Sequence, residues 1–338
     1  MMRLPLFQYH SPRTLQEAAR ILASEGPRAR LLAGGTDLLP NMKRRQQVPE
    51  VLIGLRHIDE LKKTGPLENN GLSLGACLTI SNIVQNPQIK SRFTGLWQAA
   101  SLIATPHIQN MGTLGGNLCL DTRCNYYDQN YEWRKAINFC LKKDGKICWV
   151  ATGSSRCLAV SSTDMAPMLL ALGARLRLVS SKGEREAPLS AFYRNDGVEY
   201  LTRHPDEIVA EVLLDSSEGW RSTYWKLRRR GSFDFPVLSV AAAAKLSGGA
   251  VEEIRLVLGS VASCPLEATE AEAFLLGRHL DDAVIQEAAV LASRVAKPLD
   301  NTDFDMTWRK KVSREFVISA LQELRGDETS NSRRLHET

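Results

Sequence analysis

No run of eighteen apolar residues occurs anywhere in the 338-residue chain, so a membrane-spanning helix is not expected. The opening Met1-Met2-Arg3-Leu4-Pro5-Leu6 lacks an apolar core followed by a small-residue cleavage site; no signal peptide is read there, and the expected compartment is the cytoplasm. The phosphate loops of two common nucleotide folds are missing too. No G-x-G-x-x-G opens a helix after a strand, which disfavours a Rossmann site, and there is no G-x-x-x-x-G-K-S/T loop for ATP. Cysteines in close C-x2-C pairs are absent, which disfavours a zinc ribbon or finger. The six histidines show no triad-like spacing, so no catalytic nucleophile–base pair is assigned. The net charge is +5, but the basic residues are scattered. The densest runs, Lys43-Arg44-Arg45 and Arg228-Arg229-Arg230, read as solvated faces, and without a basic stripe interleaved with aromatics no nucleic-acid partner is expected.

What remains is an ordinary globular composition, 43% apolar and 24% charged, on a chain long enough for two or three domains. Ser11-Pro12 reads as a helix start, followed by Leu15, Ala18, Ala19 and Leu22 at helical spacing and stopped by Gly26-Pro27. Residues 29–33, 51–55 and 72–76 read as strands, and 96–104 as a small apolar helix ended by Thr105-Pro106. Leu176 and Leu178 alternate with Arg175 and Arg177, the pattern of a half-buried strand, and 207–214 reads as another. The composition changes at Asp215-Ser216-Ser217-Glu218-Gly219, where the main domain boundary is placed. Beyond it, strands at 224–229, 238–246 and 254–261, with Gly248-Gly249 as a hairpin turn, precede helices at 267–276, 281–295 and 308–324. The fold class is therefore α+β. The expected domains are 1–217, with subdomains 1–60 and 61–217, then 218–325 as an antiparallel sheet backed by helices, and a frayed polar tail at 326–338.

Two glycine-rich loops carry the first chemical signal. Leu31-Leu32-Ala33-Gly34-Gly35-Thr36-Asp37-Leu38 is a strand running into a diglycine turn, whose successive amides can form an anion-binding nest. Met111-Gly112-Thr113-Leu114-Gly115-Gly116-Asn117-Leu118 is a second diglycine loop. One such loop is most simply an ordinary turn; two in one compact domain suggest a dinucleotide held between them. Ala33-Gly34-Gly35-Thr36-Asp37 resembles the first FAD loop of the vanillyl-alcohol-oxidase-like (PCMH) flavin fold. The segment from Ile108 to Leu118 resembles the second FAD motif of the molybdenum-hydroxylase flavoproteins, with Gln109 where that family usually has arginine. Ser162-Thr163-Asp164-Met165-Ala166-Pro167 resembles the family block whose aspartate contacts the FAD. Lys226-Leu227-Arg228-Arg229-Arg230 through Asp234-Phe235-Pro236 resembles the segment whose lysine lies near the flavin ring. Leu258-Gly259-Ser260-Val261-Ala262 to Pro265, then Ala271-Glu272-Ala273, resembles the family's C-terminal domain, that of the CO dehydrogenase flavoproteins. The resemblance covers nearly the whole chain. It implies that Leu31, Leu32, Ala33, Gly34, Gly35, Thr36, Asp37, Leu38, Thr113, Leu114, Gly115, Gly116 and Asn117 cradle the FAD diphosphate, that Ala104 touches the cofactor through its backbone, that Asp164 contacts it, and that Lys226 brings positive charge to the flavin N1/O2 edge. Without the resemblance, Lys226 would read as a surface lysine on a strand.

Five of the seven cysteines crowd between Cys119 and Cys157, while Cys77 and Cys264 read as buried spectators. An odd count in a cytosolic chain argues against a disulfide framework. Cys124, Cys140, Cys148 and Cys157 are spaced C-x15-C-x7-C-x8-C in a polar and aromatic stretch that cannot build a core alone, so a metal staple is physically reasonable. The spacing matches neither zinc pairs nor ferredoxin runs, and it leaves iron–sulfur, structural zinc and free thiols open. In relatives of the flavin family, the second FAD motif runs almost directly into the Asp-x-x-Pro block; here residues 119–161 form an insertion. An insertion with four cysteines at this place resembles that of the 4-hydroxybenzoyl-CoA reductase β subunits. That likeness implies that Cys124, Cys140, Cys148 and Cys157 hold an extra 4Fe-4S cluster and leaves Cys119 out.

The same likeness implies a complex in which a large subunit carries the molybdenum cofactor, a small subunit carries two 2Fe-2S clusters, and ferredoxin is the electron donor, arranged as a dimer of heterotrimers. The competing readings are the FAD subunit of another molybdenum hydroxylase passing electrons outward, a stand-alone flavin oxidase, and a zinc-stapled binding module.

Overall fold

A computed structural model describes residues 3–327, so the expected tail lies, from residue 328 onward, outside the described residues. The chain opens on a small parallel sheet of β1 (Gln8–His10), β2 (Ala29–Leu32) and β3 (Val51–Gly54) in the order β1-β3-β2, with helices α1 (Leu15–Glu25) and α2 (Leu38–Lys43). Leu15, Ala18, Ala19 and Leu22 form the buried stripe of α1, at the spacing that puts them on one face. The helix starts later than expected. Thr14, not Ser11, is the cap: its hydroxyl accepts the Glu17 amide at 3.2 Å, and the Glu17 carboxylate reaches back to the amide of Arg13. Gly26, at φ +56°, ends it.

A five-stranded antiparallel sheet follows, made of β4 (Thr64–Pro66), β5 (Leu72–Gly75), β6 (Arg175–Ser180), β7 (Gly183–Pro188) and β8 (Ile208–Leu214) in the order β4-β5-β8-β6-β7. Between β5 and β6 run the short helices α3 (Ile80–Gln85), α4 (Pro87–Arg92), α5 (Thr94–Ser101), α6 (Pro106–Gln109), α7 (Leu114–Leu118), α8 (Tyr131–Ala136) and α9 (Met165–Ala171). Leu176 and Leu178 of β6 are buried while Arg175 and Arg177 are partly exposed, the alternation read from the sequence. The expected helix over 96–104 is instead α5, closing at Ser101; Ala104 takes φ +40°, and Thr105 caps a new turn that starts with Pro106.

The last unit is a four-stranded antiparallel sheet in the order β12-β11-β10-β9, from β9 (Trp220–Leu227), β10 (Leu238–Ser247), β11 (Ala250–Gly259) and β12 (Leu266–Glu267). Helices α10 (Thr269–Leu275), α11 (Asp282–Ser293) and α12 (Met306–Arg325) cover one face. Gly248 and Gly249 both have positive φ, as a two-residue hairpin turn between twisted strands requires. The run Ala241-Ala242-Ala243-Ala244 does not alternate because β10 is buried on both sides: Ala242 and Ala244 lie in the core under the helices, Ala241 and Ala243 in the core shared with α5 and α9. Gly95 lets α5 close on α9 and β9, since a Cβ there would stand 2.4 Å from the Met168 sulfur and 3.0 Å from the Thr223 amide nitrogen.

The insertion leaves this frame after α7 and is drawn closed at its base. Arg123 and Val160 exchange backbone hydrogen bonds of 2.8 and 2.7 Å, so the chain departs and returns at one point. Asn125 donates its amide to the Asn301 carbonyl, and the Asn301 side chain returns a bond to Leu158, which fastens the loop to the C-terminal unit.

Candidate functional site

The two glycine loops meet. A Cβ on Gly34 would lie 1.8 Å from the carbonyl oxygen of Met111, so only glycine lets the first loop lie against the second. Gly35 completes the turn at φ +74°. Beside the contact opens a cleft of about 690 Å³, walled by Leu31, Ala33, Asp37 and Leu38 from the first loop and by Gly115 and Gly116 from the second. The loops contribute differently. Among the described residues, no protein acceptor takes the amides of Gly35, Thr36 or Asp37, so the first loop keeps free donors, as an anion nest needs. In the second loop the Leu114, Gly115 and Gly116 amides are already bonded to Leu78 O, Ala76 O and the Thr113 hydroxyl. That loop offers a smooth wall rather than the second nest its diglycine suggested. Arg28, Arg30, Lys142, Lys143 and Arg203 add positive charge to the cleft walls, which suits a diphosphate. Burial raises the Asp37 carboxyl above the usual carboxylate range, and ion pairing with Arg123 opposes that rise.

Four further sequence-derived residues lie apart from these walls. Asn117 Oδ1 accepts the Thr163 hydroxyl at 2.6 Å and the Met165 amide at 3.1 Å, so it secures the start of α9. The Ala104 carbonyl accepts the Phe233 amide at 3.3 Å. Lys226 is buried, with its ammonium 2.9 Å from Asp164 Oδ1 and donating to the carbonyls of Leu102 and Asp234, each at 3.0 Å. The Tyr224 hydroxyl also donates to Asp164, at 3.1 Å. Burial pushes the Asp164 carboxyl up, against the pull of Lys226. Lys226→Met should therefore cost about 3–5 kcal/mol, because it strands a buried carboxylate. Urea unfolding checks it: Lys226→Met alone should lower the midpoint, and the Lys226→Met/Asp164→Leu double variant should recover much of the loss. Equal destabilisation in both variants would contradict the pairing argument.

The four inserted cysteines converge. Cys124, Cys140, Cys148 and Cys157 are all buried, free of disulfides, and line one small cavity with Tyr126, Trp149 and other side chains. The Ala159 amide donates to Cys157 Sγ at 3.5 Å, and the amides of Tyr126 and Tyr127 face Cys124. Burial pushes the Cys124 thiol up to about 12 and the Cys157 thiol to about 11, the latter against the pull of the Lys142 ammonium, so both thiols are protonated at neutral pH. The four cysteines line a void, and among the described residues no three His, Cys, Asp or Glu are arranged to hold a metal ion. A zinc would need its ligands about 2.0–2.3 Å from one centre. Cys119 stands outside this group, in the wall of the large cleft. Tyr127 and Lys142 line both spaces and form the partition between them.

Residues 5–214 match the family model described as the FAD binding domain in molybdopterin dehydrogenase, and residues 222–324 match the CO dehydrogenase flavoprotein C-terminal domain. The chain belongs to this family. It is 27% identical over 318 residues to the carbon monoxide dehydrogenase medium chain of Hydrogenophaga pseudoflava, covering 94% of this chain and 96% of that one. It is 30% identical over 307 residues to an aldehyde oxidoreductase FAD-binding subunit of Escherichia coli, covering 87% and 94%. The fold superposes on reconstituted CO dehydrogenase from Oligotropha carboxidovorans with a TM-score of 0.81 at 25% identity, covering 97% of this chain and all of that one.

For a molybdopterin dehydrogenase FAD domain, the donor-bearing first loop, the smooth second loop and the cationic walls fit FAD. Several residues were not legible in the sequence. Lys142 reaches the cleft from the insertion, where it pairs with Asp121 at 2.8 Å and donates to the Gly197 carbonyl. Gly197 backs Cys157, since a Cβ there would stand 2.7 Å from the sulfur. Its only sequence signal is the turn-like Asn195-Asp196-Gly197. Gln109, at the position where the family usually has arginine, donates to the carbonyls of Ser101 and Ile103 and so holds α6 against the end of α5. Among the described residues, no helix is long and apolar enough to cross a membrane.

Proposed function

We propose that this chain is the electron-transfer subunit of a 4-hydroxybenzoyl-CoA reductase, holding FAD between its two glycine loops and a 4Fe-4S cluster on Cys124, Cys140, Cys148 and Cys157. The observation that carries the cluster is the convergence of four distant cysteines on one buried void that shares a wall with the cleft. A polynuclear cluster asks each thiolate to face a common void, and amide donors to the sulfurs tune its potential. Bound there, FAD would supply the interconversion between one- and two-electron transfer. The protein's part is to bind, orient and shield: the Gly35, Thr36 and Asp37 amides meet the diphosphate, Gly116 gives it a side-chain-free wall, and the partition of Tyr127 and Lys142 separates the two redox groups. We read 1–217 and 218–325 as the two domains, in line with β8 ending at Leu214 and β9 starting at Trp220.

The partners in this reading are a large subunit carrying the molybdenum cofactor, a small subunit with two 2Fe-2S clusters, and reduced ferredoxin as donor, in a cytoplasmic dimer of heterotrimers. Electrons would enter here and leave toward molybdenum, where the phenolic hydroxyl of 4-hydroxybenzoyl-CoA is reductively removed to give benzoyl-CoA. A second reading draws on the printed names of the relatives: an FAD medium subunit of a CO, xanthine or aldehyde dehydrogenase type, sending electrons outward. Analysis of the purified complex separates the two. The reductase reading expects three kinds of chain, FAD released whole into the supernatant on acid precipitation, and about eight irons per flavin, against about four if only the small subunit carries clusters. Flavin left in the pellet, or FMN in its place, would refute the non-covalent FAD site. Four irons per flavin would favour the outward-flow reading, as would failure of reduced ferredoxin to drive dehydroxylation.

A further inference from the structure

Arg134, on α8 within the insertion, is 1% exposed, and none of its three guanidinium nitrogens has a hydrogen-bond partner. Guanidinium stays protonated in proteins, and an unpaired buried charge is among the most costly arrangements a fold can hold. An anion must therefore face it in the working protein. No carboxylate does so here. Asp128 faces Arg44 and Arg123 at 3.8 and 3.7 Å, Asp121 is taken by Lys142 at 2.8 Å, and Glu132 is exposed. The flavin's diphosphate is not a candidate, because Arg134 is not part of the cleft wall. Burial also closes the site to an acidic residue of a partner chain.

Arg134 is not itself in the lining of the cysteine cavity, but its contacts lead to the cavity wall. Its carbonyl accepts the amide of Phe139, the residue before Cys140, and its guanidinium lies 5.9 Å from the Phe139 ring. The Phe139 carbonyl accepts the Trp149 indole at 2.6 Å, and Trp149 lines the cavity next to Cys148. The side chain the guanidinium faces, Phe139, is a ring and not an anion.

We infer that Arg134 is the internal counter-charge of the iron–sulfur centre: a positioning residue that balances the negative charge of four thiolates and their cluster and so raises its reduction potential. The inference rests on the cluster assignment above. A cluster bearing four thiolates is anionic, and taking up one electron adds a negative charge, so a desolvated cation nearby favours the reduced form. Lys142 also lines the cavity and draws on Cys157, but it already has a counter-ion in Asp121 at 2.8 Å, whereas Arg134 has none.

The test is potentiometric titration of the purified complex, followed by EPR, for wild type, Arg134→Lys and Arg134→Met. Arg134→Met should shift the reduction equilibrium of the cluster at least tenfold toward the oxidised form, which is a fall of 59 mV or more for one electron. Arg134→Lys should restore most of it, and the flavin potential should move far less. Loss of the cluster in Arg134→Met with retention in Arg134→Lys would equally support the charge role. An unshifted potential in Arg134→Met with its iron intact would overturn the inference while leaving the cluster assignment standing. Loss of iron in both variants would overturn it too, since shape rather than charge would then be what matters. Wild-type protein with only the small subunit's iron would overturn both readings together.

Discussion

Cys148→Ala should lose four irons per chain and keep its FAD. The two outcomes separate because the two glycine loops lie outside the insertion, which lends the cleft wall residues such as Tyr127 and Lys142 but neither diglycine. Among the described residues the insertion's core is limited to cysteines, Tyr127, Ala159 and a few partly buried side chains, so the proposed cluster would supply most of what holds its interior together. Removing one of four thiolates should bleach the cluster, abolish its EPR signal and open the segment between Cys124 and Cys157 to proteolysis, with the base at Arg123 and Val160 still paired. The cleft keeps its two glycine loops, whose mutual contact at Gly34 and Met111 owes nothing to the insertion. Reduction by ferredoxin should fall by more than about tenfold, while chemical reduction of the flavin survives. Iron and zinc analysis of wild type beside the variant decides the matter. One zinc and no excess iron in wild type would make the insertion a structural staple, and an unchanged iron spectrum in the variant would remove Cys148 from the ligand set.

Elements whose residues make their main contacts locally were readable from the sequence. The stripe of α1, the alternation of β6 and the Gly248-Gly249 hairpin each declare themselves by period or by turn chemistry. The short strands β1 and β4 do not, because Gln8, Tyr9, Thr64 and Pro66 are exposed and carry no apolar period. The exposed β7, with Glu184, Arg185 and Glu186 in sequence, is likewise recognisable only from its pairing with β6. The same division runs through the site. Gly34 and Gly35 could be read as a loop that needs glycine, but the reason for Gly34 is a carbonyl from a segment far along the chain. The two diglycines looked equivalent, yet one loop has free amides and the other has spent them on Ala76, Leu78 and Thr113. Lys226 stood in a block associated with the flavin ring, and its charge is met in the fold by Asp164. Arg134 gave no signal at all: in sequence it is one more basic residue of a surface-like helix, and only burial shows it to be an uncompensated cation.

Gly116→Val should empty the cleft of FAD without unfolding the domain. Gly115 and Gly116 are adjacent but differ in what surrounds them. A Cβ on Gly115 would stand 2.8 Å from the Ala76 side chain and 3.0 Å from the Ala76 carbonyl, so a side chain there prises α7 from the strand end beneath it. On Gly116 a Cβ would meet only the Thr113 hydroxyl, at 2.8 Å, and nothing else within 4 Å. That position has no positive φ to forbid a branched residue, so the cost to the fold is the displaced Thr113 cap, about 1 kcal/mol. The added methyl groups instead project into the cleft, in space we assign to the diphosphate. The expected effect is a loss of FAD affinity of at least about 100-fold, or ~2.8 kcal/mol. Flavin absorbance per chain and equilibrium titration of the apoprotein measure it, with circular dichroism to show that the fold is kept. Gly115→Val should instead lose flavin and thermal stability together. Wild-type FAD content in Gly116→Val would move the diphosphate away from the second loop and toward the Gly35, Thr36 and Asp37 amides of the first.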